Sequence, residues 1–487
     1  MQISLTINMG FVAHIIRTFR AGLSDENNKG VEGSFKHGYS LDILGRKDVL
    51  TCKQAMASIG PSAMSDLIQF MVPATDGSLY CFGSSGSIWA RSGDGAWNLA
   101  YSDENGAIKG AAEWKLSDGN NYLFWATNTS IARKILNVSG GAVPWPDVTA
   151  DHKTTLDAAD WHTMEIAAGQ LNIANKNYLA TYDFDGAFNV AALNIRPGNL
   201  IKALEERDDN IVLGSYRQDD FEEGHIWSWV VSALNWNQKK RIPAQGVNAL
   251  ISTELLLLQA GADGEIFFSD FVNAVPLIAV PGGGQVNPDA VAIEENLALF
   301  GFYGGDYPGI WSYGRQQKNR PFALNYDYRL SPTVAGSTVT ELGSVTVING
   351  VTLASWKVTD GSTITYGIDQ VSSTTKASAI YEGLEFDNKR PHLRRLARLI
   401  KVITNPLAAG VGISAKFKLD GESSFRYAVL PGGSTTYTQT NATEAEFEIG
   451  KPGIIYEPGI ELTPSENTAP EVRSVITYMN EEEYEHG

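Results

Sequence analysis

The chain has 487 residues, with 55 acidic and 38 basic side chains and a formal net charge of −17. This acidity disfavours a protein that binds nucleic acid nonspecifically over its surface, because such binding depends on a positive field. Two cysteines, Cys52 and Cys81, are too few for a disulfide framework and are interpreted as buried thiols. The sequence contains no run of about 18 apolar residues, so no membrane span is expected.

Residues 1–54 are predicted to form an extended segment. The first residues, MQISLTINMGFVAHIIRTFRAG, are partly apolar but lack a basic start and a clean small-x-small cleavage site. Synthesis and folding are therefore expected in a cytosol. The stretch FKHGYSLDILGRKDVLTC, from Phe35 to Cys52, is interpreted as extended chain that acts as a clasp closing a ring of repeats.

A unit of strand, turn and strand recurs over residues 55–372. Each copy has a short apolar strand, a turn rich in Gly, Asp or Asn, and then an apolar or aromatic strand. The seven copies are anchored at Leu79, Leu123, Leu179, Val212, Leu256, Leu299 and Leu353. Their mean spacing of about 46 residues is typical of four-stranded β-propeller blades. Seven blades are predicted, with the anchors at equivalent inner-strand positions. Six blades is the alternative, because the copies at Leu123 and Val212 are the weakest.

Seven Asp-Gly pairs along the chain, six of them within residues 55–372, favour hairpins, since glycine permits the positive φ that tight hairpin turns require. One of them lies in SGDGAW, from Ser92 to Trp97, which resembles a fragment of the Asp-box turn of sialidases. It lacks the residue between Asp and Gly and the Thr of the full S-x-D-x-G-x-T-W pattern, and no other copy contains the box. The fragment is therefore interpreted as a hairpin turn with Trp97 packed over it.

Residues 373–487 are predicted to form a C-terminal β-sandwich with an acidic tail, EEEYEHG. The polar run SSTTKAS, from Ser372 to Ser378, is expected to be a linker. Segments such as ISAKFKLDG and EAEFEIGKPG alternate apolar and charged residues, a pattern typical of a half-exposed antiparallel sheet. The fold class predicted for the whole chain is all-β, a propeller followed by a sandwich.

One basic segment, DNKRPHLRRLARLIKV, lies at the start of this C-terminal region. It carries Lys389, Arg390, Arg394, Arg395, Arg398 and Lys401. Three interpretations are open: a solvated face, a docking surface for an acidic neighbour such as another copy of this chain, and direct contact with DNA. The arginine fork bonds carboxylate or phosphate bidentately and suits all three. As a candidate assembly interface, its arginines are expected to pair with carboxylates of a neighbour, for example Glu444, Glu446 and Glu448.

The sequence predicts no catalytic residue, no cofactor and no metal site. Seven histidines show neither HExxH nor paired ligand spacing. The run Asp183–Gly186 resembles half of a calcium loop but lacks the third early acid and the late glutamate, which favours a hairpin turn. Gly282–Gly284 opens no helix, which disfavours a phosphate cradle.

The early segment FKHGYSLDILGRKDVLTCKQ, the propeller repeats and the segment KRPHLRRLARLIKVITNPLAAGVGISAKFKLDGESSFRYAV occur in this order. The order resembles that of tail proteins of tailed bacteriophages, in particular the propeller-bearing nozzle or packaged-DNA stabilisation proteins of short-tailed phages. In such proteins a basic, alternating strand leads into a strand ending in Asp-Gly, as Lys416–Gly421 does here. The resemblance implies a structural, non-enzymatic virion protein that forms a sixfold ring of its own copies. It also implies contact with other tail proteins and with DNA in the channel.

Two other functions stay open. A receptor- or glycan-binding propeller at the tail tip would need an exposed, aromatic-lined pocket, whereas a nozzle needs large protein interfaces. A sialidase-like glycoside hydrolase would need an arginine cluster, a nucleophilic tyrosine with a glutamate, and an acid near the mouth of the propeller. The spacing of Arg91, Arg133, Arg196, Arg207 and Arg217 selects no such set.

Overall fold

The computed structural model describes residues 11–480 except 25, 27–29, 46–47, 137–144, 146–147, 219–222, 232, 316 and 388–390. Strands dominate the described residues, and their only helix is a single turn, α1 (Ser331–Val334). The prediction of an all-β protein is therefore confirmed. No helix within these ranges is long and apolar enough to cross a membrane.

The chain forms two compact units. The larger unit comprises residues 57–310 and 330–370, and the smaller unit comprises residues 1–56, 311–329 and 371–487. The limits expected from the sequence, at 54/55 and 372/373, lie within two residues of the limits at 56/57 and 370/371. The repeat pattern gave no indication that residues 311–329 belong to the smaller unit, because their apolar strand resembles those of the repeats.

Seven short strands occupy the N-terminal residues. They are β1 (Phe11–Ile16), β2 (Gly22–Leu23), β3 (Ser34–Phe35), β4 (His37–Tyr39), β5 (Leu41–Asp42), β6 (Thr51–Cys52) and β7 (Gln54–Ser58). β2 pairs with β3 in parallel, and β5 pairs with β6 antiparallel. Residues 11–58 are thus partly strand rather than wholly extended coil.

Five complete four-stranded antiparallel sheets follow in the larger unit. Sheet one contains β8 (Ile68–Pro73), β9 (Leu79–Gly83), β10 (Ser87–Arg91) and β11 (Trp97–Ser102). Sheet two contains β12 (Gly110–Lys115), β13 (Asn121–Ala126), β14 (Ile131–Leu136) and β15 (Thr149–Lys153). Sheet three contains β16 (Met164–Ala167), β17 (Gln170–Asn175), β18 (Tyr178–Asp183) and β19 (Phe188–Asn194). Sheet four contains β20 (Asn199–Arg207), β21 (Asn210–Arg217), β22 (Gly224–Trp229) and β23 (Gln238–Ile242), and sheet five contains β24 (Val247–Ser252), β25 (Leu256–Ala260), β26 (Glu265–Ser269) and β27 (Ala274–Ala279).

Two further antiparallel sheets complete the larger unit. In sheet six, β28 (Gln285–Glu294) pairs with β29 (Leu297–Tyr303). The strands β30 (Gly309–Gly314) and β31 (Ala323–Tyr328) come next along the chain. In sheet seven, β32 (Val339–Ile348) pairs with β33 (Val351–Asp360), which pairs with β34 (Thr363–Lys376).

Consecutive sheets pack on one another in the larger unit. The first strand of each sheet lies beside the first strand of the next, and β32 of sheet seven lies beside β8 of sheet one. Buried apolar side chains fill the spaces between sheets, such as Phe82 and Trp125 between sheets one and two. Leu353 and Ile368 of sheet seven pack with Cys81 of sheet one in the same way. Burying each large apolar side chain stabilises the fold by roughly 1.5–3 kcal/mol.

Asp-Gly turns repeat one hydrogen-bonding device at the first hairpins of sheets one and two. The Asp76 carboxylate accepts from the backbone N–H of Ser78 at 2.9 Å and from the Tyr80 hydroxyl at 2.6 Å. Asp118 accepts in the same way from the N–H of Asn120 at 2.9 Å and the Tyr122 hydroxyl at 2.6 Å. Both following glycines have positive φ, near 84° and 88°. The sequence D-G-x-x-Y therefore fixes both turns and the start of the next strand.

The seven anchor residues predicted from the sequence are all buried, with exposures of 4% or less. They are not equivalent, because six lie on the second strand of their sheets whereas Leu179 lies on β18, the third strand of sheet three. The second strand of that sheet, β17, carries Leu171 but also the polar Asn172, so its pattern was less apparent. None of the anchors lies on the first strands that contact each other between sheets: six are one strand away and Leu179 is two strands away.

Eight strands follow in the smaller unit. They are β35 (Ala379–Glu382), β36 (Arg395–Thr404), β37 (Gly412–Leu419), β38 (Arg426–Tyr427), β39 (Thr436–Tyr437), β40 (Glu444–Gly453), β41 (Tyr456–Thr463) and β42 (Val472–Asn480). With N-terminal strands they form a four-stranded sheet of order β1-β42-β36-β40 and a six-stranded sheet of order β38-β37-β41-β35-β4, in which β39 also pairs with β37. The N-terminal residues expected to form an extended segment therefore contribute β1 and β4 to these sheets.

The run from Ser372 to Ser378, expected to be a linker, is largely strand. β34 continues through Lys376. The hydroxyl of Ser372 accepts from the backbone N–H groups of Thr374 and Thr375 at 3.2 and 3.1 Å. Polar composition here reflects an exposed strand, since threonine has a high preference for strands.

Candidate functional site

The predicted basic interface does not form one uniform surface. Lys389 and Arg390 lie outside the described residues. Arg394 is half-buried, Arg395 is only 3% exposed, and Arg398 is exposed. The pairing of β36 shifts between Ala397 and Leu399, so a bulge interrupts the alternation that would have placed residues on regular faces. Of the three arginines expected at a contact with another chain, Arg395 is thus enclosed by its own unit.

Lys401 finds its acidic partners within the chain. Its Nζ lies 2.8 Å from Glu444 and 3.0 Å from Glu446, both on the neighbouring strand β40. Hydrogen bonds to these two carboxylates raise the pKa of Lys401. Arg398 Nε donates to Asn480 Oδ1 at 3.0 Å. Two of the three carboxylates expected to bind a neighbouring copy therefore already bind a lysine across the same sheet.

The outer strands of this four-stranded sheet differ in character. On β1, Phe11 and Ile15 are 54% and 43% exposed, although they are large apolar residues. On β40, the Glu444 and Glu446 side chains are 59% and 52% exposed. One margin of the sheet is therefore apolar and the opposite margin acidic.

The six-stranded sheet carries a charged face that is largely buried. Lys416 Nζ lies 2.9 Å from Glu382 and 3.5 Å from Glu461, and Lys418 Nζ lies 3.7 Å from Glu457. Lys416 and Glu457 are only 5% and 3% exposed. The alternation of ISAKFKLDG predicted a sheet, which is present, but it also predicted charged residues on a half-exposed face. Burial of this face is compatible with stability because the charges are paired across adjacent strands.

The ring of Phe425 covers the two lysines of this charged face. Its centroid lies 4.8 Å from Lys416 Nζ and 5.1 Å from Lys418 Nζ, within the range of cation–π attraction. Lys416 lies opposite Gly459, where an added Cβ would come within 2.8 Å of the lysine side chain. A glycine at this position leaves room for the lysine stem to lie flat on the sheet.

Three carboxyl groups with strongly raised pKa values lie on first strands of the larger unit, at Glu165 on β16, Glu205 on β20 and Asp289 on β28. Burial, with the charge of Glu205 as the next cause, raises the pKa of Glu165 to about 8. Burial also raises the pKa of Glu205 and of Asp289 to about 7. Carboxyl groups supply no positive charge that could replace the counterions of DNA phosphates, which disfavours these positions as a surface for DNA.

Asp289 connects three sheets of the larger unit. From sheet six, its Oδ2 accepts from the backbone N–H of Met71 in sheet one at 3.1 Å and from the hydroxyl of Ser344 in sheet seven. Ser355 of sheet seven also donates its hydroxyl to the backbone oxygen of Ile68 in sheet one at 2.6 Å. These bonds join the last sheets of the unit to the first. The sequence gave no indication of them, because an isolated Asp or Ser has no recognisable spacing.

The SGDGAW fragment is the hairpin turn between β10 and β11. Asp94 Oδ1 accepts from the backbone N–H of Ala96 at 3.2 Å and from the hydroxyl of Ser92. Hydrogen bonds from these groups lower the pKa of Asp94. Trp97 packs at the edge of the core between sheets seven and one, and the Arg91 guanidinium lies 5.7 Å from its ring.

His162, the two cysteines and Asp183 have structural surroundings. The two ring nitrogens of His162 lie 2.7 and 3.0 Å from the backbone oxygens of Ala174 and Asn128. Cys52 and Cys81 are buried free thiols, as predicted. Asp183 closes the hairpin between β18 and β19 by accepting from the N–H of Ala187 at 2.7 Å. Within residues 11–480, apart from the gaps, no three His, Cys, Asp or Glu side chains are grouped so as to hold a metal ion.

Neither protein-family models nor curated proteins match this chain. Among solved structures, a chain of the mitotic checkpoint complex is 12% identical, with 72% of this chain and 97% of that chain covered and a TM-score of 0.45. The WD40 β-propeller domain of Doa1 is 14% identical over 66% of this chain and 97% of its own, with a TM-score of 0.44. Streptogramin B lyase is 11% identical over 65% and 97%, with a TM-score of 0.41. Likenesses this weak carry no argument about what the chain does.

Proposed function

We propose that this chain is a structural, non-enzymatic component of a bacteriophage tail or tail nozzle, and that its copies form a ring. The observation that carries the proposal is the unlike character of the outer strands in the four-stranded sheet. β1 exposes Phe11 and Ile15, whereas β40 exposes Glu444 and Glu446. Two unlike surfaces on one subunit suit a heterologous, head-to-tail contact, and such contacts give closed rings when the rotation closes.

The proposal includes a finer description of the fold. The larger unit is a seven-bladed β-propeller, and the two sheets of the smaller unit form a β-sandwich. Support for seven blades comes from contacts between the first strands of consecutive sheets. These contacts run from β8 to β32, and β32 in turn contacts β8. Further support comes from Asp289, which bonds to sheets one and seven. Support for the sandwich comes from the apolar faces of both sheets, which include Phe417 and Phe447.

In this proposal the basic segment contributes to the contact through Arg398 rather than through all of its arginines. Arg398 is exposed, whereas Arg395 is buried and Lys401 is paired with Glu444 and Glu446. An exposed arginine pair contributes only about 0–1 kcal/mol. The main free energy of assembly is therefore expected from the apolar margin, with Arg398 adding specificity.

The proposed ring would stand in the virion tail, in contact with other tail proteins and with DNA passing along the tail axis. Contact with DNA is not assigned to the interior of the larger unit, because the carboxyl groups of Glu165, Glu205 and Asp289 lie on its first strands. A surface that follows DNA needs basic side chains to replace the counterions of the phosphates.

Native mass spectrometry of the full chain tests the proposal. We expect a closed oligomer, six copies if the phage resemblance holds, that dissociates when Phe11→Ser and Ile15→Ser are combined. The matched control is Val272→Ser with Val334→Ser, since these valines are 73% and 62% exposed but lie in the larger unit. A parent protein that stays monomeric at high concentration, or a Phe11/Ile15 variant that assembles like the parent, contradicts the proposal.

A further inference from the structure

A cleft of about 470 Å³ lies between sheets one and seven of the larger unit. Its walls come from the first and last hairpins of sheet one and from β32, β33 and β34 of sheet seven. The apolar part includes Pro73, Ile348 and Val351, and the polar part includes Arg91 and Gln370. The cleft, with its mixed apolar and polar lining, is large enough to hold a small organic molecule.

Arg91 is the only charged residue that lines this cleft. Arg91 forms no salt bridge with any carboxylate of the described chain. The nearest acid along the chain, Asp94, is occupied by Ser92 and Ala96 and does not line the cleft.

The contacts of Arg91 hold it in place without neutralising its charge. Nη1 donates to the side-chain oxygen of Gln370 at 2.8 Å, and the guanidinium lies 5.7 Å from the ring of Trp97. Its Nε is buried and has no hydrogen-bond partner among the described residues. Nη2 points to the turn at Gly95, 3.9 Å from where a Cβ would stand. A guanidinium fixed by neutral neighbours keeps donors for an anion, and little entropy is lost when the anion binds.

Neutral polar groups surround the guanidinium on the cleft side. Gln370 accepts from Arg91 through its oxygen, so its amide NH₂ group is left as a second donor beside the arginine. Ser92 and Asn349 line the same cleft. The geometry therefore offers one positive charge and uncharged hydrogen-bonding groups next to an apolar wall.

We propose that this cleft binds a small organic monoanion through its carboxylate, with Arg91 as the anion-binding residue and Gln370 as its neighbour. The carboxylate accepts from the guanidinium and the Gln370 amide, and the apolar part of the ligand packs on Pro73, Ile348 and Val351. This site is independent of ring assembly, because every residue of the cleft belongs to the larger unit and none lies on β1 or β40.

Isothermal titration of the full chain with benzoate tests the proposal, and benzamide serves as the neutral ligand of the same shape. We expect saturable binding of benzoate and at least about tenfold weaker binding of benzamide, since a charge-assisted hydrogen bond is roughly twice as strong as a neutral one. Inorganic phosphate is the second comparison. Equal binding of benzamide and benzoate, or phosphate binding as tight as that of benzoate, contradicts the proposed ligand class.

Two variants assign the site within the protein. Arg91→Gln removes the charge, and Gln370→Glu places a carboxylate beside Arg91 that competes with the ligand while preserving the bond to Nη1. Each is expected to weaken benzoate binding by about tenfold or more, equivalent to about 1.4 kcal/mol. Gln370→Glu adds an ion pair, so it keeps the proposal testable if Arg91→Gln fails to fold.

The matched control is Arg133→Gln. Arg133 also lies on the third strand of its sheet and over an aromatic ring, 4.7 Å from Tyr122, but it does not line the cleft. This variant is expected to bind benzoate within about twofold of the parent. Absence of saturable benzoate binding to the parent, or an equal loss in Arg133→Gln and Arg91→Gln, overturns the proposal.

Discussion

Arg395 and Arg398 lie three positions apart on β36, yet they have opposite surroundings. Arg395 is 3% exposed, and its backbone oxygen accepts from the Tyr456 hydroxyl, whereas Arg398 is exposed beside Asn480. The bulge between Ala397 and Leu399 separates the two environments. A run of basic residues in the sequence therefore consists of residues with different roles.

Arg395→Ala is expected to destabilise the protein by about 1–3 kcal/mol, because it removes a buried side chain and its packing. Arg398→Ala is expected to change the free energy of unfolding by no more than about 0.5 kcal/mol, since surface substitutions usually have small effects. Urea denaturation of both variants measures the difference. Equal effects of the two substitutions would show that Arg395 is not buried in solution.

Glu165 illustrates how burial couples folding to pH. Its pKa, raised to about 8, lies above that of an unfolded glutamate, so the folded protein binds the proton more tightly than the unfolded chain. Stability from this group is therefore greatest at low pH and is lost as pH rises toward about 8.

Glu165→Gln is expected to raise the free energy of unfolding by about 1–2 kcal/mol at pH 8.5 and by much less at pH 5, since glutamine cannot ionise. Thermal or urea denaturation at both pH values tests this expectation. Glu113→Gln is a suitable control, because Glu113 also lies on a first strand but accepts from Thr75 near the surface. A variant that is no more stable than the parent at pH 8.5 contradicts the assigned environment of Glu165.

At the scale of strands and sheets, hydrogen bonds of Asp289 join the last sheets of the larger unit to the first. Asp289→Ala is expected to cost about 2–4 kcal/mol, because the backbone N–H of Met71 and the Ser344 hydroxyl lose their acceptor. Ser344→Ala is expected to cost less, since Met71 keeps its bond. A double-mutant cycle gives the coupling, and the exposed turn variant Asp94→Ala is the control. Additive effects of Asp289→Ala and Ser344→Ala would contradict the bond between them.

An element could be predicted from the sequence when the residues that determine it are close together in the chain. The hairpins could be predicted because Asp76-Gly77 and Asp118-Gly119 contain both the side-chain acceptor and the glycine that the turn requires. The strand pattern failed at Leu179, where polar Asn172 hid the second strand of sheet three. The arginine of the proposed site was visible in the sequence, but the glutamine beside it lies 279 positions away and only the fold brings them together.

At the scale of the whole molecule, the sequence predicted the class of fold better than the division into units. An alternating or repeated pattern reports which residues are buried, but not which distant segment covers them. This is why residues 1–54 were expected only to form an extended segment, although β1 within them pairs with β42. The same limit applies to Lys416 and Glu457. The sequence shows that they are charged residues between apolar ones, but it does not show that both are buried.

Removal of residues 472–480 is expected to unfold the four-stranded sheet, because β42 is the only described strand between β1 and β36. Limited proteolysis should then cut the chain within residues 395–453 much faster than in the parent, since the sheet loses the partners of both strands. Removing only residues 481–487 is the control and should leave the cleavage pattern unchanged. Equal protection of the truncated chain would contradict the central position of β42.

The pairing of β1 with β42 also imposes a delay during biosynthesis, because the two strands lie near opposite ends of the described chain. Phe11 leaves the ribosome 469 residues before its partner Asn480, which at about 5–20 residues per second is a delay of roughly 20–90 s. During that interval β1 is an apolar segment without its partner strand β42. The sheets of the larger unit can already form, because their strands are neighbours in the chain. The nascent chain is therefore most exposed to mispairing at its earliest strand, and a chaperone that holds this strand would protect the protein for longest.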